Sequence, residues 1–220
     1  AVDNPGNWNQ TTKTRVKILD NDPLEFGTDE SNGSATTGDP YHFRIWIFDN
    51  VGVNKTYVEY WFGNGPHINS TMTGFNPYSH TIQVPHDSID TLHYIIHAND
   101  QSSIWVASNS TDVPVRDNDL PVLGSEQSGI TPTTGEVFQL SVEVSDNVGV
   151  GGVNVEYWFD DSTRHNSTMS GEVLYNKSIE IPSSVQELHY IYHTNDTSDN
   201  WNQTPRKDVP VTDNDSPIFG

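Results

Sequence analysis

Apolar and polar residues alternate along this chain with a period of two. Tyr41, Phe43, Ile45 and Ile47 are spaced by His42, Arg44, Trp46 and Phe48. Phe138, Leu140, Val142 and Val144 are spaced by Gln139, Ser141, Glu143 and Ser145. Successive side chains of a strand point to opposite faces, so this alternation predicts half-buried antiparallel strands. Val58, Tyr60 and Phe62 predict the next strand, matched by Val155, Tyr157 and Phe159. Shorter strands are predicted at Ile82–Val84, matched by Ile179–Ile181, and each runs into a proline. Tyr94, Ile96 and Ala98, then Val113 and Val115, predict two more, with counterparts at Tyr190, Tyr192 and Thr194 and at Val209 and Val211. No helical stripe of useful length occurs. Short strands parted by Gly, Pro, Asn and Asp predict an all-β antiparallel sandwich.

The predicted strands come in two copies. Asp-Asn-Val-Gly-Val occurs at 49–53 and 146–150, and Val-Glu-Tyr-Trp-Phe at 58–62 and 155–159. Asn-Ser-Thr-Met occurs at 69–72 and 166–169, and Leu-His-Tyr-Ile at 92–95 and 188–191. Asp-Asn-Asp marks 20–22, 117–119 and 213–215. A period this long is a whole domain, longer than a solenoid repeat. The expected organisation is a tail of a preceding repeat at 1–19, sandwich repeats at 20–116 and 117–212, and the start of a following repeat at 213–220. The tail rests on Asn7-Trp8-Asn9-Gln10-Thr11, which matches Asn200-Trp201-Asn202-Gln203-Thr204. Residues 11–19 could instead be a strand that completes a partner's sheet edge.

Charge narrows the partners. Thirty acidic residues against ten Lys and Arg give a net charge of −20. That argues against nucleic acid and anionic membrane as partners and favours cations, and no apolar run is long enough for direct membrane insertion. Cysteine is absent, so disulfides and thiolate metal sites are excluded. Asn-x-Ser/Thr sequons begin at Asn9, Asn32, Asn54, Asn69, Asn109, Asn166, Asn176, Asn195 and Asn202, among twenty-one asparagines in all. Random order would give roughly four. The excess points to an exterior surface carrying N-linked glycans, although Asn, Ser and Thr are also common in turns.

Thr-Thr-Gly-(Asp/Glu), Asp-Asn-Val-Gly-Val, Val-Glu-Tyr-Trp-Phe, Leu-His-Tyr-Ile, an Asn-Trp-Asn turn and Asp-Asn-Asp follow one another in each repeat. This series resembles the tandem Ig-like repeats of archaeal cell-surface proteins, which are similar to fibronectin type III modules. The first repeat departs at 102–106, where Ser-Ser-Ile-Trp-Val replaces Asn-Trp-Asn. The resemblance implies a surface-exposed multidomain protein, neighbouring repeats as partners, and no catalytic residues.

Acidic residues are the main candidates for chemistry. In an Ig-like topology the loop after the second strand, the loop before the last strand and the entering linker share one end. That places Asp20, Asp22, Asp49 and Asp100 together, and likewise Asp117, Asp119, Asp146 and Asp196. Converging carboxylates suit Ca2+, a hard ion that takes several oxygens. The competing reading is turn chemistry alone, since Asp and Asn bond their own backbone. His93 and His97, with His189 and His193, share a strand face. Residues four apart in a strand are roughly 13 Å apart, so a polar outer face is favoured over a metal site. Trp8, Trp105 and Trp201 are equivalent, as are Trp61 and Trp158; packing is favoured over sugar stacking. No nucleophile elbow or other catalytic setting occurs. The expectation is a non-enzymatic structural or adhesive segment of an extracellular surface protein or fibre, stiffened by calcium at its junctions. The alternative is a carbohydrate- or protein-binding accessory module of a secreted enzyme.

Overall fold

The computed structural model describes residues 4–6, 8, 10–16, 20–214 and 216. Eleven strands form the first unit: β1 (Glu25–Asp29), β2 (Ala35–Thr36), β3 (Pro40–Phe48), β4 (Val53–Phe62), β5 (Ile68–Thr71), β6 (Thr73–Gly74), β7 (Tyr78–Gln83), β8 (Leu92–Asp100), β9 (Trp105–Ala107), β10 (Thr111–Val113) and β11 (Val115–Arg116). Eight form the second: β12 (Val122–Glu126), β13 (Val137–Ser145), β14 (Val150–Phe159), β15 (His165–Thr168), β16 (Leu174–Glu180), β17 (Glu187–Asp196), β18 (Trp201–Gln203) and β19 (Lys207–Pro210). The described residues contain no helix.

Both units pair their strands alike. One sheet runs β1-β3-β7-β6, and its counterpart β12-β13-β16. The facing sheet runs β10-β8-β4-β5 with β9 beside β8, and its counterpart β15-β14-β17-β18 with β19 also beside β17. The short strands β5 and β15 pair with β4 and β14. In a constant-type immunoglobulin domain the fourth strand instead joins the first sheet. Register shifts fall at equivalent places in both units, within β1 and β12 and at the start of β4 and β14. Bulges of this kind turn a strand end and re-aim its side chains.

The period-two pattern places the core as the sequence predicts. Tyr41, Phe43, Ile45 and Ile47 of β3 face Val58 of β4 and Leu92, Tyr94 and Ile96 of β8, all buried. Phe43 meets the rings of Tyr41 at 5.0 Å and Tyr94 at 5.1 Å, both edge to face, the arrangement that ring quadrupoles favour. The second unit has its own cluster, with Phe138, Leu140, Val142 and Val144 against Val155, Leu188 and Tyr192. Polar tips at the core margin are satisfied. Tyr94 donates to Asp29 Oδ2 at 2.7 Å, and Tyr41 to the Asn32 carbonyl at 2.6 Å. Burial pushes the Tyr94 phenol up to about 12, which keeps it a donor. Ser141 breaks the alternation: it is buried on the other face, where its hydroxyl bonds Asn176 Oδ1 at 2.6 Å.

A parallel pair closes each unit and aims the linker. β11 runs beside β2 with Val115 opposite Ala35 and Arg116 opposite Thr36. Thr37 and Asp117 follow next on their two strands, so the Thr-Thr-Gly motif meets the start of the linker. The second unit repeats this with Thr133 opposite Thr212. Trp8 and residues 10–16 are exposed, and residues 10–16 form no strand. The remainder of the expected tail strand, 17–19, lies outside the described residues, as does most of the expected following start, 217–220.

Two separate cores predict that damage to one stays local. Leu140→Ala removes a fully buried side chain and should cost about 2–5 kcal/mol. Urea unfolding followed by tryptophan fluorescence and circular dichroism should then split into two transitions, with only the second unit shifted to lower denaturant.

Candidate metal centre

The loop between β3 and β4 begins with Asp49. Its Oδ1 accepts the backbone N–H of Val51 at 2.9 Å and of Gly52 at 2.5 Å. Asp146 does the same between β13 and β14, for Val148 at 2.9 Å and Gly149 at 2.7 Å. Asp100 ends β8, and its Oδ1 accepts Ile104 N–H at 2.8 Å. In the linkers, Asp20 Oδ1 accepts Asp22 N–H at 3.2 Å and Asp117 Oδ1 accepts Asp119 N–H at 3.1 Å. Each of these is the local turn chemistry expected of Asp.

Each turn uses only one carboxylate oxygen. The other, Oδ2, is buried and without a hydrogen-bond partner in Asp20, Asp49, Asp100, Asp117 and Asp146. The carboxylates that carry them converge. Asp20, Asp49 and Asp100 form one set and Asp117, Asp146 and Asp196 another, each with ligand atoms within 4.8 Å of one another. Asp100 and Asp196 are 0% exposed and Asp117 is 7% exposed. Asp196 differs in detail. Its Oδ1 accepts Ser198 and Asn200 N–H and its Oδ2 accepts the Asn200 side chain at 2.7 Å. Burial opposes its charge, yet these bonds hold its carboxyl below the usual range. Turn formation and ion binding are therefore compatible uses of one side chain. An all-oxygen set of this span fits a hard divalent cation; no histidine joins either set.

Asp22 and Asp119 stand outside both sets. The turn at Asp20 aims Asp22 at Asn50, which donates to its Oδ2 at 2.8 Å. Asp119 belongs to a clasp around the linker. The buried Thr37 hydroxyl lies 3.0 Å from Asp117 Oδ1 and 3.1 Å from Asp119 Oδ2. Asn147 Nδ2 donates to the His86 carbonyl at 2.7 Å and approaches Asp119 Oδ2 at 3.2 Å. Asn118 reaches back to Asp39 at 3.1 Å. Asn200 and Asn202 donate to the carbonyls of Asp117 and Pro121 at 3.2 and 2.9 Å. Sequence reasoning missed Thr37, Asn147, Asn200 and Asn202, although each sits in a motif that repeats. The outgoing linker is received alike, by Thr134 on Asp213 at 3.2 Å and Asn214 on Glu136 at 3.3 Å.

The outer face of the β8–β4 sheet carries the histidines. Glu59 bonds His67 Nδ1 at 2.7 Å and His97 Nε2 at 2.9 Å. His93 bonds Asp112 at 2.7 Å and His189 bonds Asp208 at 2.5 Å. Trp61 lies between His67 and His93, with ring centroids 4.0 and 5.3 Å away. Trp158 lies between His189 at 5.2 Å and the Arg164 guanidinium at 4.2 Å. Trp105 and Trp201 remain 49% and 58% exposed. Of the sequons, Asn32, Asn54, Asn69, Asn109 and Asn166 are exposed, whereas the Asn176, Asn195 and Asn202 amides donate to backbone carbonyls. Asn9 lies outside the described residues.

The three-unit fragment I67–I69 of titin, in a Glu-to-Ala variant, superposes with a TM-score of 0.56 at 15% identity, over 88% of this chain and 66% of that one. The fold is that of tandem Ig-like and fibronectin type III-like domains. A tetra-tandem repeat from the extending region of a large adhesion protein matches with a TM-score of 0.44 at 18% identity, over 80% of this chain and 46% of that one. The D1–D4 ectodomain fragment of ICAM-5 matches at 0.46 and 9%, over 86% and 53%. This chain thus spans about two thirds of the titin fragment. No family model and no curated protein matches the sequence. No described helix is long and apolar enough to cross a membrane.

The Glu59 bridge predicts a pH signature. Hydrogen bonds, first from His67 and then from His97, hold its carboxyl below the ordinary 4.5. A carboxyl lowered on folding stabilises fully above its unfolded pKa and loses that contribution as pH falls through the folded value. Melting of Glu59→Gln in EGTA should therefore fall less steeply than wild type below about pH 4.5. Parallel melting curves would remove the bridge as a source of stability.

Proposed function

We propose that this chain is a load-bearing or adhesive segment of an extracellular tandem array, stiffened by Ca2+ at the entrance of each unit. The observation that carries the reading is the set Asp117, Asp146 and Asp196. It takes Asp117 from the linker, Asp146 from a loop of the second unit and Asp196 from the end of β17, and each of the first two leaves a buried oxygen unpartnered. A cation there would fix the linker on the unit it enters. The Thr37 contacts fix the same linker on the unit it leaves, and Asn147 ties the second unit directly to the His86 carbonyl of the first. The Asp20, Asp49 and Asp100 set would do the same one repeat earlier. Rigidity between units, rather than turnover of a substrate, is what such a junction supplies, so no enzymatic activity is assigned. N-linked glycans on the exposed sequons would keep the acidic array hydrated at the cell surface. The partners in this reading are neighbouring repeats. A second reading, a sugar- or protein-binding accessory module of a secreted enzyme, draws on the exposed Trp105 and Trp201 rings.

Calcium titration followed by melting tests the junction. At about 100-fold over its dissociation constant a ligand adds about 2.7 kcal/mol to the folded state. Wild type should therefore melt several degrees higher in Ca2+ than in EGTA. Asp196→Asn keeps its turn acceptor but loses the charge. It should melt lower than wild type in EGTA, because the Asn200 side-chain bond and the charge favoured by its hydrogen bonds are lost, and should gain less than wild type from Ca2+ at that site. Small-angle scattering should show a narrower distribution of inter-unit angles with the ion. No response to Ca2+ in either measurement would strike calcium from the reading and leave a tandem spacer without it.

A further inference from the structure

The two classes of repeated tryptophan have opposite fates. Trp61 stacks on His67 and His93, and Trp158 stacks on His189 and under the Arg164 guanidinium. Among the described residues Trp201 has no ring or cation partner, and it projects from the outer face at 58% exposure. It is also held there firmly. Its neighbours Asn200 and Asn202 point the other way and bond the linker carbonyls. Alternation along β18 therefore presents the indole outward on a fixed backbone.

A sequon shares that face. Asn166 lies on β15 directly opposite Glu156 of β14. Asn154 of β14 is opposite His193 of β17, and Trp201 on β18 is opposite Asn195. Asn166, Glu156, Asn154, His193 and Trp201 line one shallow depression. The Asn166 side chain is exposed and makes no hydrogen bond among the described residues, so its amide is free for modification. From Asn166 to Trp201 is three strand spacings across the sheet, roughly 14 Å, and four residues along it, roughly 13 Å, so about 19 Å on the diagonal, which a short oligosaccharide spans. The floor between carries a carboxylate, an amide and an imidazole, groups that bond sugar hydroxyls, and it ends in an open aromatic face suited to the apolar face of a pyranose ring. The first unit places the same pieces alike: Asn69 opposite Glu59, His97 on the next strand, and Trp105 with Tyr57 at 5.7 Å.

We propose that Asn166 carries an N-linked glycan whose outer sugars lie across Glu156 and His193 and stack on Trp201, so that the sheet face and its own glycan form one packed layer. Asn69 and Trp105 make the corresponding layer on the first unit. The occupant is the chain's own glycan rather than a foreign polysaccharide, because the attachment point lies in the depression itself. This inference rests on the glycoprotein part of the proposed function.

Glycopeptide mass spectrometry of the protein from its native host, at Asn166, comes first. An unmodified Asn166 overturns both this inference and the glycoprotein reading at that site. Then wild type, Asn166→Gln, Trp201→Ala and the double variant are produced in a glycosylating host and melted. Stacking predicts that loss of the glycan lowers the melting temperature of the second unit by about 4 °C in wild type. It predicts a much smaller loss on the Trp201→Ala background, and Trp201→Phe should restore most of the coupling. A glycan present at Asn166 with additive effects of the two substitutions overturns the stacked layer alone. Saturation-transfer NMR of the unglycosylated chain with free oligosaccharide is the last arm. Strong Trp201-dependent binding there would assign the platform to a foreign sugar and overturn the inference.

Discussion

Three carboxylates held within 4.8 Å of one another, in a setting that removes most of their water, define the entrance of each unit. Water screens like charges; burial takes that screening away. Such a cluster is unfavourable unless a cation or protons neutralise it. Yet the chain keeps it twice, with the same residues on the same strands. The backbone turns explain half of its retention, since each Oδ1 ties its own loop. The unpartnered Oδ2 atoms are unexplained by turns, and they are what a divalent cation would take.

Everything around the cluster serves to fix a linker. The parallel pairing of β2 with β11 delivers Thr37 to Asp117. The bulge that opens β14 and the turn after Asp146 deliver Asn147 to the His86 carbonyl. The turn ahead of β18 delivers Asn200 and Asn202 to the linker carbonyls. A linker bound on both sides transmits orientation from one sandwich to the next. In the proposed reading that property separates a stiff spacer from a string of loosely tethered beads.

The strands themselves were legible in the sequence because a half-buried strand must alternate. Tyr41 through Ile47 and Phe138 through Val144 fall where the alternation put them. The repeat was legible because both copies solve the same packing problem with the same residues. Asp49, Asp100, Asp146 and Asp196 were legible as a set because sandwich topology brings those loops to one end. Thr37, Asn147, Asn200 and Asn202 were not. A threonine or asparagine is a common turn residue, and its role here depends on a contact with a segment 80 or so residues away. Asp22 and Asp119 were expected beside them but lie outside both carboxylate sets, because spacing alone does not say which way a turn sends a side chain.

The sequence by itself determined the elements, their duplication and the concentration of acid at the joints, since these follow from periodicity and composition. Only the tertiary structure decided how each polar group is spent. It set Trp61 and Trp158 between flanking side chains and left Trp201 open. It drew three sequon amides into hydrogen bonds and left Asn166 free. It gave one oxygen of Asp20, Asp49, Asp100, Asp117 and Asp146 to a turn and left the other buried and unpaired, while both oxygens of Asp196 found partners. The physical reason is the same in each case. A side chain's partners come from strands far apart in sequence, and the availability of a polar atom is fixed only when those strands have packed.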